Sequence, residues 1–305
     1  MIYEFAIEPA LAVAWAKDQK DFEYYYEKFG LGQPRIMSEF PKLKNWRKQF
    51  KQASQGVQDL ELERITAFFS LLVERRIHRE GYTYDGNISW LENAETEHGR
   101  YRFQAILASE NPRHHAQVLA SRTIASHPLW KVEEQNVCPR TANDLACLVS
   151  AMIVNCGAVY FIDPHFGAEN ARHRRPLAAF LMEMVNNRHC RSPLPCIEVH
   201  TSDKAEAGFF KDTCMENLPG IIPAGLSVKL KRWKERTGGP RLHERYILTE
   251  LGGVKVGPGL DDGKEGEEFE VMLLKRKMFE KQWNDYVECP AFDLAEDPIE
   301  MSGEA

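Results

Sequence analysis

The stretch Arg241 to Glu250, RLHERYILTE, places a histidine, an arginine two residues on and a carboxylate five residues after that. Side chains two apart on a strand point the same way, so the spacing predicts that His243 and Arg245 share one face of a strand RYILTE. That pair suits phosphodiester chemistry. A neutral imidazole can attack phosphorus, and a neighbouring cation can hold the non-bridging oxygens as charge builds. Glu250 could orient the imidazole and fix its tautomer. Taken alone, a histidine at the start of a strand is more often structural, so the elements around it must decide.

Other chemistries lack their residues. The chain contains no GxGxxG or GxxxxGK[ST] phosphate loop, no HExxH and no GxSxG. The seven cysteines form no CxxC pair and no Cys/His cluster at zinc spacing, so neither a metal site nor a cofactor is expected. Their scatter through apolar segments reads as reduced thiols of a cytoplasmic protein. His114-His115 stands on a polar stretch and is expected at the surface or in a cap.

The 305 residues suffice for two domains, and 43% apolar with 28% charged residues is the mix of a soluble globular chain. No apolar run reaches the roughly 18 residues of a membrane span. The opening MIYEFAIEP has no basic segment and is not expected to be a signal peptide. The net charge is −6 but unevenly spread. Residues 34–51 carry six Lys/Arg against one Glu, among them Lys42, Lys44, Arg47 and Lys48. Residues 172–191 begin RHRRP, with Arg172, Arg174 and Arg175, and end RHCR. Residues 229–245 carry seven Lys/Arg against two Glu, among them Lys229, Lys231, Arg232 and Lys234. One such run is usually a solvated face; three in an acidic chain raise the expectation of a phosphate-binding surface. From Glu288 onward six carboxylates stand with no Lys or Arg.

The elements divide the chain. Residues 1–125 are expected to be a mainly helical domain. Its helices run from Pro9 to Phe29, Leu43 to Ala53 and Asp59 to Arg79, with Asp59 as N-cap and Gly81 as stop. Tyr101 to Leu107 alternates like a strand, and NPRHHAQV turns into a short helix. Residues 126–288 alternate helix and strand. Thr141 caps a helix to Cys156, and AVYFIDPHF is a buried strand closed by Asp163-Pro164. Pro176 opens the next helix. CIEVHTSD, LSVKLKRW, RYILTE, VKVG and EFEVMLL are strands, with Gly252-Gly253 as a hairpin turn, and KRKMFEKQWNDY is a closing helix. The fold class is therefore α/β: a helical N-terminal region, then a mixed sheet covered by helices, then an acidic tail at 289–305.

From about Thr141 to Tyr286, half of the chain, this order resembles one copy of the phospholipase D-like fold. That superfamily carries a motif written HxK, four residues, then D. Here His243, Arg245 and Glu250 stand in register, with Arg for Lys and Glu for Asp. The family's Gly-Ser-x-Asn element falls on Gly257-Pro258-Gly259-Leu260, where the glycine is kept and Ser and Asn are replaced. FIDPHF, with Asp163 and His165, resembles the family's early strand, whose end lies near the active site. HERYILTELGGVKVGPGL also resembles the C-terminal domains of MIT-domain proteins and domains from bacterial phage-defence operons. The resemblance implies His243 as nucleophile, Arg245 as phosphate ligand and Glu250 as the orienting group. Glu267, Glu268 and Glu270 are alternative orienting carboxylates, and His165 is a second imidazole. Family enzymes join two motif copies at a twofold axis. With one copy, this chain would need a homodimer.

Two readings follow. One is a metal-independent nuclease of a bacterial antiviral defence system, with nucleic acid along the basic runs and partner proteins in a defence complex. The other is a catalytically degenerate module that binds nucleic acid, an anionic head group or a partner protein. There the acidic tail would serve as a docking segment or a cover for the basic surface.

Overall fold

The structure, a computed structural model, describes residues 1–188 and 195–304. The RHCR end of the second basic stretch falls outside them from His189. The chain divides into two compact units, Ile2–Glu133 and 134–304, the latter joined by Met1.

The first unit is built on a sheet of five parallel strands. They are β1 (Tyr3–Ile7), β2 (Arg35–Glu39), β3 (Arg76–His78), β4 (Ala105–Ala108) and β5 (Val118–Ala120), in the order β3-β2-β1-β4-β5. The helices α1 (Pro9–Lys17), α2 (Gln19–Tyr26), α3 (Leu43–Ala53) and α4 (Asp59–Glu74) fall between β1 and β3, and α5 (Trp90–Arg100) precedes β4. Strand side chains alternate between two cores, as the pleat requires. Phe5, Ile7, Ala105 and Leu107 pack with residues of α1, α3 and α4, whereas Ala6, Ile106 and Ala108 pack with Trp90, Leu91 and Ala94 of α5.

The helical expectation for this unit therefore needs a parallel sheet added to it. Its strands are only three to five residues long and mix polar with apolar residues, as in RIMSE and RIH, so only β4, within the alternating Tyr101–Leu107, is legible as a strand. The helix expected over Pro9–Phe29 is two helices. Asp18 turns extended and its carboxylate caps the Asp21 N–H at 2.9 Å. The Asp59 helix is capped instead by Gln58 with Glu61, and it ends at Glu74 so that Arg76–His78 can join the sheet. NPRHHAQV leads into β5 first, and a short 3-10 helix, Ser121–Ser126, follows it.

The second unit holds a nine-stranded mixed sheet. The strands are β6 (Gln135–Pro139), β7 (Ala158–Ile162), β8 (Cys196–Ser202), β9 (Ser227–Lys234), β10 (Tyr246–Thr249), β11 (Gly252–Gly257), β12 (Glu268–Leu273), β13 (Asp293–Leu294) and β14 (Ile299–Ser302). Their order is β13-β9-β8-β7-β10-β11-β12-β6, with β14 also on β9. Strands β7, β8 and β9 are parallel, and β10, β11, β12 and β6 continue antiparallel. Helices α6 (Ala142–Ile153), α7 (Ala171–Asn187) and α8 (Ala207–Asn217) make the crossovers, and α9 (Arg276–Trp283) follows the last meander strand. Thr141 caps α6 by accepting from the Asp144 N–H.

Three local expectations change. Helix α7 begins at Ala171, capped by Asn170, and Pro176 sits inside it. Proline cannot donate to the carbonyl four residues back, and that carbonyl, Arg172 O, accepts the Asp262 N–H at 2.8 Å instead. The β10–β11 turn is Glu250-Leu251, since Thr249 already pairs with Gly252. Gly253 stays small because a Cβ there would meet Leu248 Cδ2 at 2.6 Å. The acidic tail is not a free segment. Its strands β13 and β14 pair with β9, and Phe292 and Met301 are buried.

Among the described residues, no helix is long and apolar enough to cross a membrane.

Candidate functional site

Strand directions gather the candidate residues at one edge of the second sheet. β7, β8 and β11 point the same way and β10 runs against them, so the exits of β7, β8 and β11 lie beside the entrance to β10. The β7 exit brings Asp163 and His165, the β8 exit Lys204, the β10 entrance His243 to Arg245, and the β11 exit Gly257 to Leu260.

Asp163 organises this edge. It is buried, and its N–H donates to His200 O at 2.9 Å, which holds it to β8. Oδ1 accepts the His165 N–H and Oδ2 accepts the Leu260 N–H, each at 2.9 Å. The Arg245 Nε lies 3.8 Å from Oδ1. The loop between is pinned by Ser202 Oγ donating to Pro164 O and Thr201 Oγ1 donating to Phe166 O. Arg245 Nη1 donates at 2.9 Å to the carbonyl of His243, so one guanidinium spans the two histidine-bearing loops.

His243 is exposed and lies in the loop before β10, as does Arg245. The two therefore do not share a strand face. The imidazole Nδ1 faces Arg241 O at 3.3 Å and Nε2 faces Glu244 Oε1 at 3.3 Å. Glu244 also holds Lys255 at 2.8 Å; that bond and nearby cations draw its carboxyl below the usual range despite partial burial. Burial, then the positive charges of Arg245 and Lys204, push the exposed His165 imidazole below its ordinary value, with His173 also nearby. Asp163 opposes that shift without reversing it.

Glu250 stands at the opposite end of β10 from His243. Its carboxylate accepts the N–H groups of Gly157 and Ala158, the latter at 3.2 Å, and so caps the entrance to β7. The orienting role expected for Glu250 is corrected accordingly; the carboxylate beside the imidazole belongs to Glu244. Among the alternatives, Glu270 is exposed and pairs in register with Gly257, and Glu267 is bound to Arg140 at 2.8 Å.

The basic runs divide. Arg172 binds Asp261, Arg174 donates to Ala168 O at 2.6 Å, and the exposed Arg175 has Asp262 at 3.6 Å. On β9, Lys231 binds Glu198 at 2.7 Å and buried Arg232 binds Glu296 of the tail at 2.5 Å. Lys229 lies across from Glu300, and Lys234 across from Asp293. These runs are largely neutralised within their own unit. Lys42, Lys44, Arg47 and Lys48 are exposed at the start of and along α3.

Sequence reasoning missed Lys204, His173 and Glu244 as members of the edge. Lys204 could have been found from its place just after CIEVHTSD; His173 carried no signal beyond its basic neighbours. The chain matches no family model and no curated protein.

Proposed function

We propose that the second unit is a phospholipase D-like phosphodiesterase acting on nucleic acid without a metal. The observation that carries the reading is Arg245, which touches the His243 loop and faces Asp163 at the exit of β7. A phosphate placed there would meet Arg245, Lys204 and two imidazoles. The imidazole of His243, turned so that Nε2 leaves Glu244 and is unprotonated, attacks phosphorus, the P–O bond to the leaving strand breaks, and Arg245 neutralises the charge on the non-bridging oxygens. His165, its imidazole pushed below the ordinary value by burial and by Arg245, offers an N–H to the phosphate. The leaving oxygen takes its proton from His243 of a second copy, which makes the working form a homodimer. Water then attacks phosphorus, the P–N bond to His243 breaks, and the water's proton restores His243 of the second copy. Membership of a bacterial antiviral defence complex, with partner proteins, rests on the resemblance of HERYILTELGGVKVGPGL alone.

The test is cleavage of labelled single- and double-stranded DNA and RNA in EDTA. The expected result is cleavage of at least one substrate, lost in His243→Ala. Wild-type protein that cuts none of the four would sink the reading. A binding module without turnover is the second reading. It is favoured by Glu250 being spent on backbone amides and by Pro258 and Leu260 offering no side-chain donors.

A further inference from the structure

Helix α3 of the first unit carries a cationic stripe that its own packing dictates. Trp46 and Phe50 are buried, and Trp46 Nε1 donates to Ile7 O at 2.8 Å, so the helix is held with one face inward. Lys44, Arg47, Lys48 and Lys51 recur at three- and four-residue steps and share the outer face. With Gln52 and Gln55 they line a shallow groove of about 430 Å³. Among the described residues, none of these four cations has a carboxylate partner. The helix itself contains no Asp or Glu, and Glu39 just before it is bound to Arg76 at 2.6 Å and His78 at 2.8 Å. Arg47 is held in place by stacking its guanidinium 4.9 Å over the Phe69 ring.

An unpaired stripe of four like charges repels itself and is costly to gather, so its complement is an extended polyanion. Cations at successive turns, about 5.4 Å apart, match a run of backbone phosphates better than a single small anion. The groove has no exposed aromatic or aliphatic side chain among its lining residues, and a helix lying in a bilayer interface needs one. The two glutamines add neutral hydrogen-bonding groups suited to phosphate or sugar oxygens.

We infer that the Lys44–Arg47–Lys48–Lys51 face of α3 is a sequence-independent docking surface for the phosphate backbone of duplex nucleic acid. The inference rests on the reading of a nucleic-acid substrate. It is scored by binding alone, so an inactive His243 and a non-binding α3 give different results.

The experiment is fluorescence anisotropy of a labelled 20-base-pair duplex with the full chain carrying His243→Ala, from 50 to 200 mM KCl. Four phosphate contacts predict a slope of log K against log salt near −3.6. Lys44→Gln/Lys48→Gln/Lys51→Gln, an exposed-face variant whose folding is checked by thermal melting, is expected to lose at least tenfold in affinity at 50 mM. Its slope should become shallower by about 3. Replacement of the same three lysines by arginine is expected to keep both. Unchanged affinity and slope in the glutamine variant would overturn the inference. So would binding to vesicles containing phosphatidylserine with none to the duplex.

Discussion

The backbone N–H of Leu260 donates to Asp163 Oδ2 at 2.9 Å, tying the loop after β11 to the exit of β7. A leucine there contributes through its main chain, so the edge is assembled without a polar side chain at that position. Both carboxylate oxygens of Asp163 are occupied, one by each loop, and Arg245 balances the buried charge.

Asp163→Ala should therefore disorganise both loops. Two backbone donors lose their acceptor and Arg245 loses its counter-charge, a cost of about 2–4 kcal/mol in urea denaturation. Asp163→Asn keeps one acceptor oxygen and is expected to cost about half as much. An Asp163→Ala protein with an unchanged urea midpoint would show that the carboxylate is not the organiser.

Glu250 and Glu244 should separate cleanly. Glu250→Gln weakens the cap on Gly157 and Ala158 and is expected to cost about 1–2 kcal/mol. It should leave the rate at which diethylpyrocarbonate modifies His243 unchanged. Glu244→Gln should alter that rate while moving stability by less than about 1 kcal/mol, since Glu244 is partly exposed. The reverse pattern would restore the orienting role to Glu250.

These contrasts mark how far the residues alone could be read. The strands and helices from Thr141 to Tyr286 were legible because AVYFI and CIEVH are strongly apolar runs, LSVKLKRW alternates, and helix-length segments and turn residues separate them. Strand β6 and the sheet of the first unit, β4 apart, were not, because short strands such as RIMSE and RIH mix polar and apolar side chains without a period. Glu250 was misplaced because spacing along the chain suggests a shared site, whereas a four-residue strand between it and His243 sends the two to opposite ends. The basic runs at 172–175 and 229–236 looked like surface because their acidic partners lie far away in sequence, at Asp261, Glu198 and Glu296. The cations of α3, by contrast, are exposed.

Removal of the tail should unfold rather than release. Phe292 packs against Trp233 and Tyr286, and Met301 is buried where β14 covers β9. Ending the chain after Glu288 strips the β9 edge and leaves Arg232 buried without Glu296. Phe292→Ala alone is expected to cost about 3–5 kcal/mol by urea denaturation. A protein ending at Glu288 that melts at the wild-type temperature would mean the tail is an appendage.

Acid should destabilise the second unit through Glu198 and His200. His200 is fully buried among Tyr160, Trp233 and Tyr286, and burial holds it below its ordinary 6.5 despite its bond to Glu198 at 2.9 Å. It is thus a neutral imidazole, and Lys231 supplies the cation. Burial raises the Glu198 carboxyl, but the bonds from His200 and Lys231 outweigh it and hold the group at about 2, against 4.5 when unfolded. Both folded values are depressed, so the unfolded chain binds more protons on acidification and stability is lost as pH falls. The His200 contribution begins to drop below about pH 6.5. The Glu198 contribution, about 3 kcal/mol, disappears between roughly pH 4.5 and 2. Glu39 of the first unit is lowered to about 2 as well, so the readout is a difference between proteins. Glu198→Gln is expected to be less stable at pH 7 and to lose less between pH 5 and 3 when followed by urea denaturation. An acid slope identical to wild type would remove Glu198 from the account.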